Sequence, residues 1–193
     1  MKNLKEKYNK EVVPEMQKRF GYKNKMAVPT IEKVVINSCF GKTISGKTSG
    51  EREKIQKLIL SDLSLIAGQR PALIKSKKSI AGFKLRENLE IAAKVTLRKD
   101  RMWDFIDRFI NLSLPRLRDF KGIDPKSVDK EGNLNIGFKE HISFPEIFTE
   151  KEKTIFGFQV TFTAKNANSK EEGVELYKLL GFPMKETENK AKL

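Results

Sequence analysis

Few residues in this chain of 193 could support catalysis or bind a metal ion. The one histidine, His141, follows Glu140, and the one cysteine, Cys39, follows Ser38 near the end of a predicted strand. An acid–base pair needs a nucleophile and a pocket beside it. The pattern places no histidine near Cys39, which favours a buried structural thiol over a nucleophile. We therefore predict a protein that is not an enzyme, with no disulfide, no metal and no other cofactor.

Two Gly-Lys-Thr fragments, Gly41–Thr43 and Gly46–Thr48, look like parts of a phosphate-binding P-loop. Neither has the upstream glycine at the spacing that a P-loop requires. The sequence therefore does not indicate nucleotide binding, and Gly41–Gly50 is predicted to be a polar loop.

The charge balance points to a polyanionic partner. Lysine and arginine number 39 against 25 acidic residues, which gives a formal net charge of +14. Nucleic acid is the most common partner of so basic a chain, and an anionic membrane surface is the alternative. No apolar run approaches the roughly 20 residues needed to cross a bilayer, and no signal-type segment starts the chain. We expect a cytoplasmic protein that binds RNA and no membrane, with a phosphate-processing enzyme or a membrane-surface protein as the rival classes.

Basic residues are concentrated in the segment from Lys75 to Arg86, which has few apolar anchors and is predicted to be a mobile loop. Its charged members are Lys75, Lys77, Lys78, Lys84 and Arg86. They flank a small apolar tip that contains Ser79 and Gly82 and that could approach a nucleic-acid backbone closely. A run of charge is often only a solvated loop, so this loop indicates an RNA contact only together with the net charge.

The elements that must position these residues follow from hydrophobic periodicity. Apolar residues spaced four apart predict helices within residues 1–21, divided in two by Pro14 and ended by Gly21. Further helices are predicted after Thr48, which has capping-box spacing to Glu51, after Asp100 as a cap, and after Ser169. The tail at about 184–193 is polar and predicted to be mobile.

Strands are predicted where alternation or β-branched residues dominate. They are 28–37, with Val34 and Ile36 facing the core, and 71–76, 91–98, 133–138 and 158–165. In 91–98 the alternation turns Thr96 and Arg98 outward. The outward polar residues could form a platform for phosphates, 2′-hydroxyls and base edges, although polar outer faces are ordinary on antiparallel sheets. Phe158 and Phe162 lie on the apolar side and are predicted to be core residues, which argues against RNA binding by aromatic stacking.

With no internal repeat and no low-complexity linker, the whole chain, 1–193, is predicted to form one α+β domain. We expect two layers, in which a largely antiparallel sheet has helices on one face and leaves the other face open for RNA.

Six ordered segments resemble the family of bacterial large-subunit ribosomal protein five. They are Val28–Asn37, Gly68–Pro71, Lys78–Arg86, Lys94–Arg98, Leu114–Gly122 and Phe144–Ile147. The similarity spans the chain from about Tyr8 to Pro183. It implies a structural constituent of the large subunit in the central protuberance, which binds 5S rRNA there. It further implies contacts with 23S rRNA, with the tRNA in the peptidyl (P) site, with small-subunit head protein thirteen and with neighbouring proteins of the protuberance.

The resemblance also assigns residues. It implies 5S rRNA contacts by Asn37, Gln69, Thr96 and Arg98, and tRNA contacts by the basic loop, for which the candidates are Lys75, Lys77, Lys78, Ser79, Gly82, Lys84 and Arg86. Other rRNA or intersubunit contacts are implied for Arg116, Arg118 and Lys121. The chain departs from the family pattern at the turn Ser38–Gly41, at Thr30 in place of a usual arginine, at His141 in place of a usual glutamine, and in its longer polar tail.

Overall fold

The computed structural model describes residues 4–117, 120–147 and 155–185, and it confirms the predicted α+β architecture. The described strands are β1 (Thr30–Cys39), β2 (Ala72–Lys75), β3 (Glu90–Leu97), β4 (Leu134–Phe138) and β5 (Phe158–Lys165). They form one sheet in the order β2-β3-β1-β5-β4, and every neighbouring pair is antiparallel.

The helices of the described residues are α1 (Leu4–Lys7), α2 (Val13–Phe20), α3 (Gly41–Ile44), α4 (Ser49–Ala67), α5 (Lys99–Arg108) and α6 (Lys170–Leu180). Two predicted caps are present at their ends. The Glu51 carboxylate accepts from the Thr48 backbone N–H at 3.0 Å, and the Ser169 hydroxyl accepts from the Glu172 N–H at 3.2 Å. Gly21, Gly68 and Gly181 follow α2, α4 and α6 with positive φ, the left-handed conformation that glycine adopts without strain.

The strands bury alternate side chains, as a sheet with one covered face must. Val34 and Ile36 of β1 are fully buried, as predicted, and so are the corresponding apolar residues of β3 and β5. Phe158 and Phe162 are core residues, which confirms their assignment. The buried apolar side chains form a connected cluster that includes Leu4 and Phe182; the single-domain organisation stays a prediction.

The helix layer meets the sheet through an aromatic cluster centred on Phe109. Its ring centroid lies 5.3 Å from that of Phe162 on β5 and 5.8 Å from that of Phe138 on β4. Tyr177 of α6 is buried beside Phe162, and its hydroxyl donates to the Gly132 carbonyl at 2.9 Å. Aromatic side chains of this size dominate the energetics of a core, so these contacts fix the helices on one face of the sheet.

Pro14 lies in the first turn of the second of two α-helices, as predicted, but no break in the chain separates these helices. α1 and α2 are joined without a break by a π-helical turn, Tyr8–Val12, in which the Val13 N–H bonds to the Tyr8 carbonyl five residues back. Proline lacks an N–H and clashes with the carbonyl four residues before it in a regular α-helix. The π-helical turn lies just before Pro14, where proline interrupts the regular α-helical hydrogen bonds. Val12, Val13 and Met16 stay buried.

Two local predictions are wrong. Gly41–Gly50 is not one polar loop, because it contains α3 and the start of α4, and Ile44 is fully buried. Arg98, rather than Asp100, is the N-cap of α5, and Asp100 instead pairs with Lys5 at 2.8 Å. The Lys185 N–H donates to the Ile123 carbonyl at 2.9 Å; the rest of the predicted tail, 186–193, lies outside the described part, so its mobility stays a prediction.

Two leucines on opposite faces of α4 test whether this helix packs against the core with the face that the structure shows. Leu63 is fully buried, whereas Leu65, two positions along, is half exposed. Leu63→Ala is expected to lower the free energy of unfolding by roughly 2–5 kcal/mol, because it leaves a cavity in the core. Leu65→Ala removes the same atoms from the surface and should cost less than about 1 kcal/mol. Urea denaturation measures both, and equal losses would contradict the placement of α4.

Candidate RNA-binding face

The open face of the sheet carries two cross-strand rows that the register defines. The first row contains, from β3 to β4, Thr96, Val35, Thr161 and Asn135. The second row contains, from β2 to β4, Ala72, Lys94, Asn37, Gln159 and Gly137. We call this surface the open face. Its side chains are exposed or partly exposed, so the rows face away from the helices.

The structure brings three of the predicted 5S rRNA residues together. Asn37 and Thr96 are diagonal neighbours on β1 and β3, which places their Cα atoms roughly 7–8 Å apart. Gln69, at the end of α4, donates from its amide to the Thr96 carbonyl at 3.4 Å, and its amide oxygen accepts from Arg101 at 3.3 Å. These two hydrogen bonds hold Gln69 against the edge of the Thr96 row.

The fourth residue, Arg98, follows β3 and is half exposed. Its guanidinium donates to the Glu32 carboxylate at 2.8 Å. This hydrogen bond is the main reason that the pKa of Glu32 lies below its ordinary value, and the charge of nearby Lys33 adds to it. Surface ion pairs of this kind contribute little to stability, so the fold does not depend on Arg98 keeping this carboxylate partner.

The half of the open face on β4 and β5 contains a cluster that the sequence-based site assignment missed. The Asn135 side-chain oxygen accepts from the Thr161 hydroxyl at 2.7 Å and from the Gln159 amide at 3.2 Å. Alternation along each strand had marked all three side chains as outward. Their meeting depends on β4 pairing with β5, which separate segments of sequence do not reveal.

Cys39 also belongs to the open face. It is exposed, and it follows the buried Ser38 in the alternation of β1. The prediction of a buried thiol is therefore wrong. Ser38 takes the inward position instead, and its hydroxyl donates to the Gly157 carbonyl at 2.8 Å.

The basic loop extends from the β2 edge of the sheet. The tip is closed by a reciprocal backbone pair in which the Ile80 N–H donates to the Leu85 carbonyl and the Leu85 N–H donates to that of Ile80. The base is held by Ser76, which is buried; its hydroxyl donates to the Arg86 carbonyl and accepts from the Leu89 N–H. All seven predicted contact residues of the loop are exposed, and they are Lys75, Lys77, Lys78, Ser79, Gly82, Lys84 and Arg86.

The second basic group lies at the opposite edge. Lys121 lines a surface cavity together with Asn135 and Gly137 of β4, and the exposed Arg116 precedes Leu117 of the same cavity. Arg118 lies outside the described residues. Because β2 and β4 are the two edges of the sheet, the two basic groups are separated by the full width of the open face.

The buried polar residues do not form a catalytic site in the described part. His141 is only 1% exposed; its ring stacks on Phe156 at 4.2 Å, and its Nε2 lies 3.9 Å from the buried Asp62 carboxylate. A residue enclosed in this way cannot meet a substrate. Among residues 4–117, 120–147 and 155–185, no group of acidic, histidine and cysteine side chains could hold a metal ion, and no helix there has the length and apolar character needed to cross a membrane.

An open sheet face of hydrogen-bonding side chains, with a basic group at either edge, is typical of the nucleic-acid-binding class of protein. The chain matches the models of two parts of a single family, one described as ribosomal protein L5 over residues 24–86 and the other as the C-terminus of the same ribosomal family over residues 90–184. The chain belongs to the ribosomal protein L5 family. It is therefore a structural protein of the large ribosomal subunit and not an enzyme, which confirms the class predicted from the sequence.

The chain aligns with curated relatives over nearly their whole length. The large ribosomal subunit protein uL5 of Geotalea daltonii is 48% identical over 185 residues, which cover 96% of this chain and 99% of the relative. The proteins of the same name from Carboxydothermus hydrogenoformans and Clostridium perfringens are each 46% identical over 183 residues, which cover 95% of this chain and 98% of each relative. The similarity extends across both the open face and the basic loop.

Ser76 is expected to hold the base of the basic loop. Ser76→Ala removes the donor to the Arg86 carbonyl and the shorter of the two acceptors of the Leu89 N–H, which leaves that N–H only the Arg86 carbonyl at 3.4 Å. An unmade buried hydrogen bond costs about 1–3 kcal/mol. Hydrogen exchange at the Leu89 amide should accelerate while exchange in β1 stays unchanged. Ser79→Ala is the matched control, since the Ser79 hydroxyl bonds to Leu85 in an exposed position. If both variants left Leu89 equally protected, Ser76 would not anchor the loop.

Proposed function

We propose that the open face binds 5S rRNA in the central protuberance of the large ribosomal subunit. The observation that supports this most strongly is the pair of cross-strand rows, in which Asn37, Thr96 and Gln69 are neighbours on the face opposite the helices. Family membership supplies the ribosomal context, and the geometry supplies a continuous surface for one RNA.

The chemistry of the open face favours recognition of shape and backbone. None of the described strand positions that face outward carries an aromatic side chain, so stacking of unpaired bases is not favoured there. Amides and hydroxyls such as Asn37, Thr96 and Thr161 both donate and accept, which suits 2′-hydroxyls and base edges in the shallow groove of an RNA helix. Lys33, Lys94 and Arg98 add charge for phosphates, and this contribution weakens with salt.

The basic loop has a different proposed partner, the tRNA in the peptidyl site. The loop joins β2 to β3 on the β2 side of the sheet, and none of its candidate contact residues belongs to the two cross-strand rows of the open face. It is therefore proposed to contact a second RNA while the face is occupied. Lysine side chains supply point charges to phosphates, and Gly82 has open space where a Cβ would lie, which permits close approach of a backbone.

Arg116, Arg118 and Lys121 are proposed to contact 23S rRNA and to support the bridge to small-subunit head protein thirteen. The supporting observation is that Lys121 and Arg116 lie at the β4 edge, opposite the loop. Neighbouring proteins of the central protuberance are further proposed partners. In this arrangement the chain acts as an adaptor, with separate contact groups at the two edges and the centre of one sheet.

The proposed 5S rRNA site predicts the effect of two substitutions. Thr96→Ala and Arg98→Ala should each weaken 5S rRNA binding by roughly 1–3 kcal/mol, as the loss of charge-assisted or buried hydrogen bonds does. If about five phosphates are neutralised, the log–log salt slope of the native protein should be about −4. Filter binding of the purified protein to 5S rRNA at several salt concentrations measures both quantities.

Glu32→Gln is a matched variant that is expected not to weaken 5S rRNA binding. It removes the carboxylate that engages Arg98, so it should preserve or strengthen binding. Equal 5S rRNA affinity of the native protein and the Thr96→Ala/Arg98→Ala double variant would show that 5S rRNA does not bind at this site on the open face.

The tRNA assignment predicts a separation of effects. Lys77→Gln/Lys78→Gln should leave 5S rRNA binding unchanged and weaken tRNA binding to the peptidyl site of assembled ribosomes, because both lysines are exposed on the loop. Lys54→Gln/Lys57→Gln on α4 removes the same charge elsewhere and should alter neither. Loss of 5S rRNA binding in the loop variant would show that the loop contacts 5S rRNA rather than tRNA.

A further inference from the structure

A cationic pocket lies between the first turn of α4 and the basic loop. It has a volume of about 600 Å³ and is lined by Ser49 and Arg52 from α4 and by Ser79, Lys84 and Arg86 from the loop. That volume falls within the roughly 300–1,000 Å³ of typical ligand sites. Gly46, from the second Gly-Lys-Thr fragment, also forms part of the wall, so this fragment and the basic loop line the same pocket.

The charge of the pocket is unbalanced. Three cationic side chains line it and no carboxylate does. Among the described residues, none of the three forms an ion pair, in contrast to Arg98 and Arg108, which are paired with Glu32 and Glu146. Like charges held together without a counter-charge repel one another, so this arrangement favours an anion from outside the chain.

Arg52 gives the most specific indication that the pocket binds an anion. Its Nε is fully enclosed and, among the described residues, has no hydrogen-bond partner. A buried donor left unpaired costs free energy, and a guanidinium can satisfy several donors at once on a planar oxyanion or a phosphate. A phosphate in the pocket would give the guanidinium an acceptor that the described residues do not supply.

The cationic groups that line the pocket are the side chains of Arg52, Lys84 and Arg86. At the start of α4, the Glu51 carboxylate accepts from the Thr48 N–H, and this contact lowers the pKa of the Glu51 carboxyl. The case for an anion therefore rests on side chains and not on the helix terminus.

Hydrogen bonds within the chain shape the loop wall of the pocket. The Lys84 N–H donates to the Ala81 carbonyl at 2.9 Å, the Arg86 carbonyl is bonded by Ser76, and the Ser45 hydroxyl donates to the Phe83 carbonyl at 3.3 Å. Groups that are already ordered lose less entropy on binding.

We propose that this pocket binds one phosphate group, with Arg52 as its anchoring donor and Lys84 and Arg86 as further cationic contacts. Arg52 is outside the residues assigned above to any RNA. The proposal depends on the proposed RNA contact of the loop only for the source of the phosphate, which is either a phosphodiester of RNA or a free nucleotide.

Isothermal titration of the full-length protein with pyrophosphate, at constant ionic strength, tests the pocket without RNA. The native protein should bind pyrophosphate, and Arg52→Gln should weaken the affinity by about tenfold, the loss expected for a charge-assisted contact. Lys54→Gln, at an exposed position of α4 outside the pocket, is the matched control and should bind as the native protein does. Lys84→Gln, at an exposed loop position, should also weaken binding and keeps the test valid if Arg52→Gln does not fold. Equal pyrophosphate affinity in native, Arg52→Gln and Lys84→Gln proteins overturns the proposal.

A second arm identifies the source of the phosphate. If it is RNA, Arg52→Gln should reduce the salt slope of tRNA binding by about one unit relative to Lys54→Gln, and ADP should not compete with pyrophosphate more strongly than inorganic phosphate does. If it is a nucleotide, ADP should compete strongly and the RNA slope should stay unchanged. Failure of the tRNA role itself has a different signature, since Lys77→Gln/Lys78→Gln would then leave tRNA binding intact while pyrophosphate binding still required Arg52.

Discussion

The structure depends on burial of one face of a five-stranded antiparallel sheet and of that face alone. Alternate residues such as Val34, Val95 and Val160 are removed from water against the helices, and burial of this kind is the dominant favourable term in folding. Because the period of a strand is two, the residues between them must point to the other side. The side that is left carries Asn37, Thr96 and their neighbours, so the packing of the core fixes where the hydrogen-bonding groups lie.

Alternation was enough to predict which side chains each strand turns outward, and the structure agrees for Thr96, Gln159 and Thr161. It could not predict the strand order, because pairing between β1 and β5 joins segments far apart in the chain. The Asn135 cluster therefore escaped the site assignment, although each member was correctly oriented. The prediction that Cys39 is buried was wrong for a related reason. Its burial was argued from residue type, whereas its position in the alternation of β1 made it exposed.

Local propensities failed where tertiary contacts or an altered hydrogen-bond pattern decided the outcome. Pro14 lies in the first turn of α2, as predicted, but a π-helical turn and not a break joins α1 to α2, and the buried stripe continues through Met16. Gly41–Gly50 has loop composition, yet Ile44 anchors α3 in the core. Both corrections leave the functional surface in place. The turn at Gly41–Gly50 also contributes to the wall of the cationic pocket, which composition alone could not have joined to the basic loop.

An RNA bound on the open face would cover Cys39, so this residue is a direct reporter of the proposed complex. It is the only cysteine in the sequence, and it is exposed on the same strand face as Asn37. The rate of its alkylation can be measured in the free protein and in the complex with 5S rRNA, with Cys39→Ser/Lys178→Cys as a control that moves the thiol to the exposed side of α6. We expect 5S rRNA to slow alkylation at Cys39 and not at position 178. Unchanged reactivity of Cys39 in a saturated complex, or protection at position 178 instead, would show that 5S rRNA does not bind on the open face.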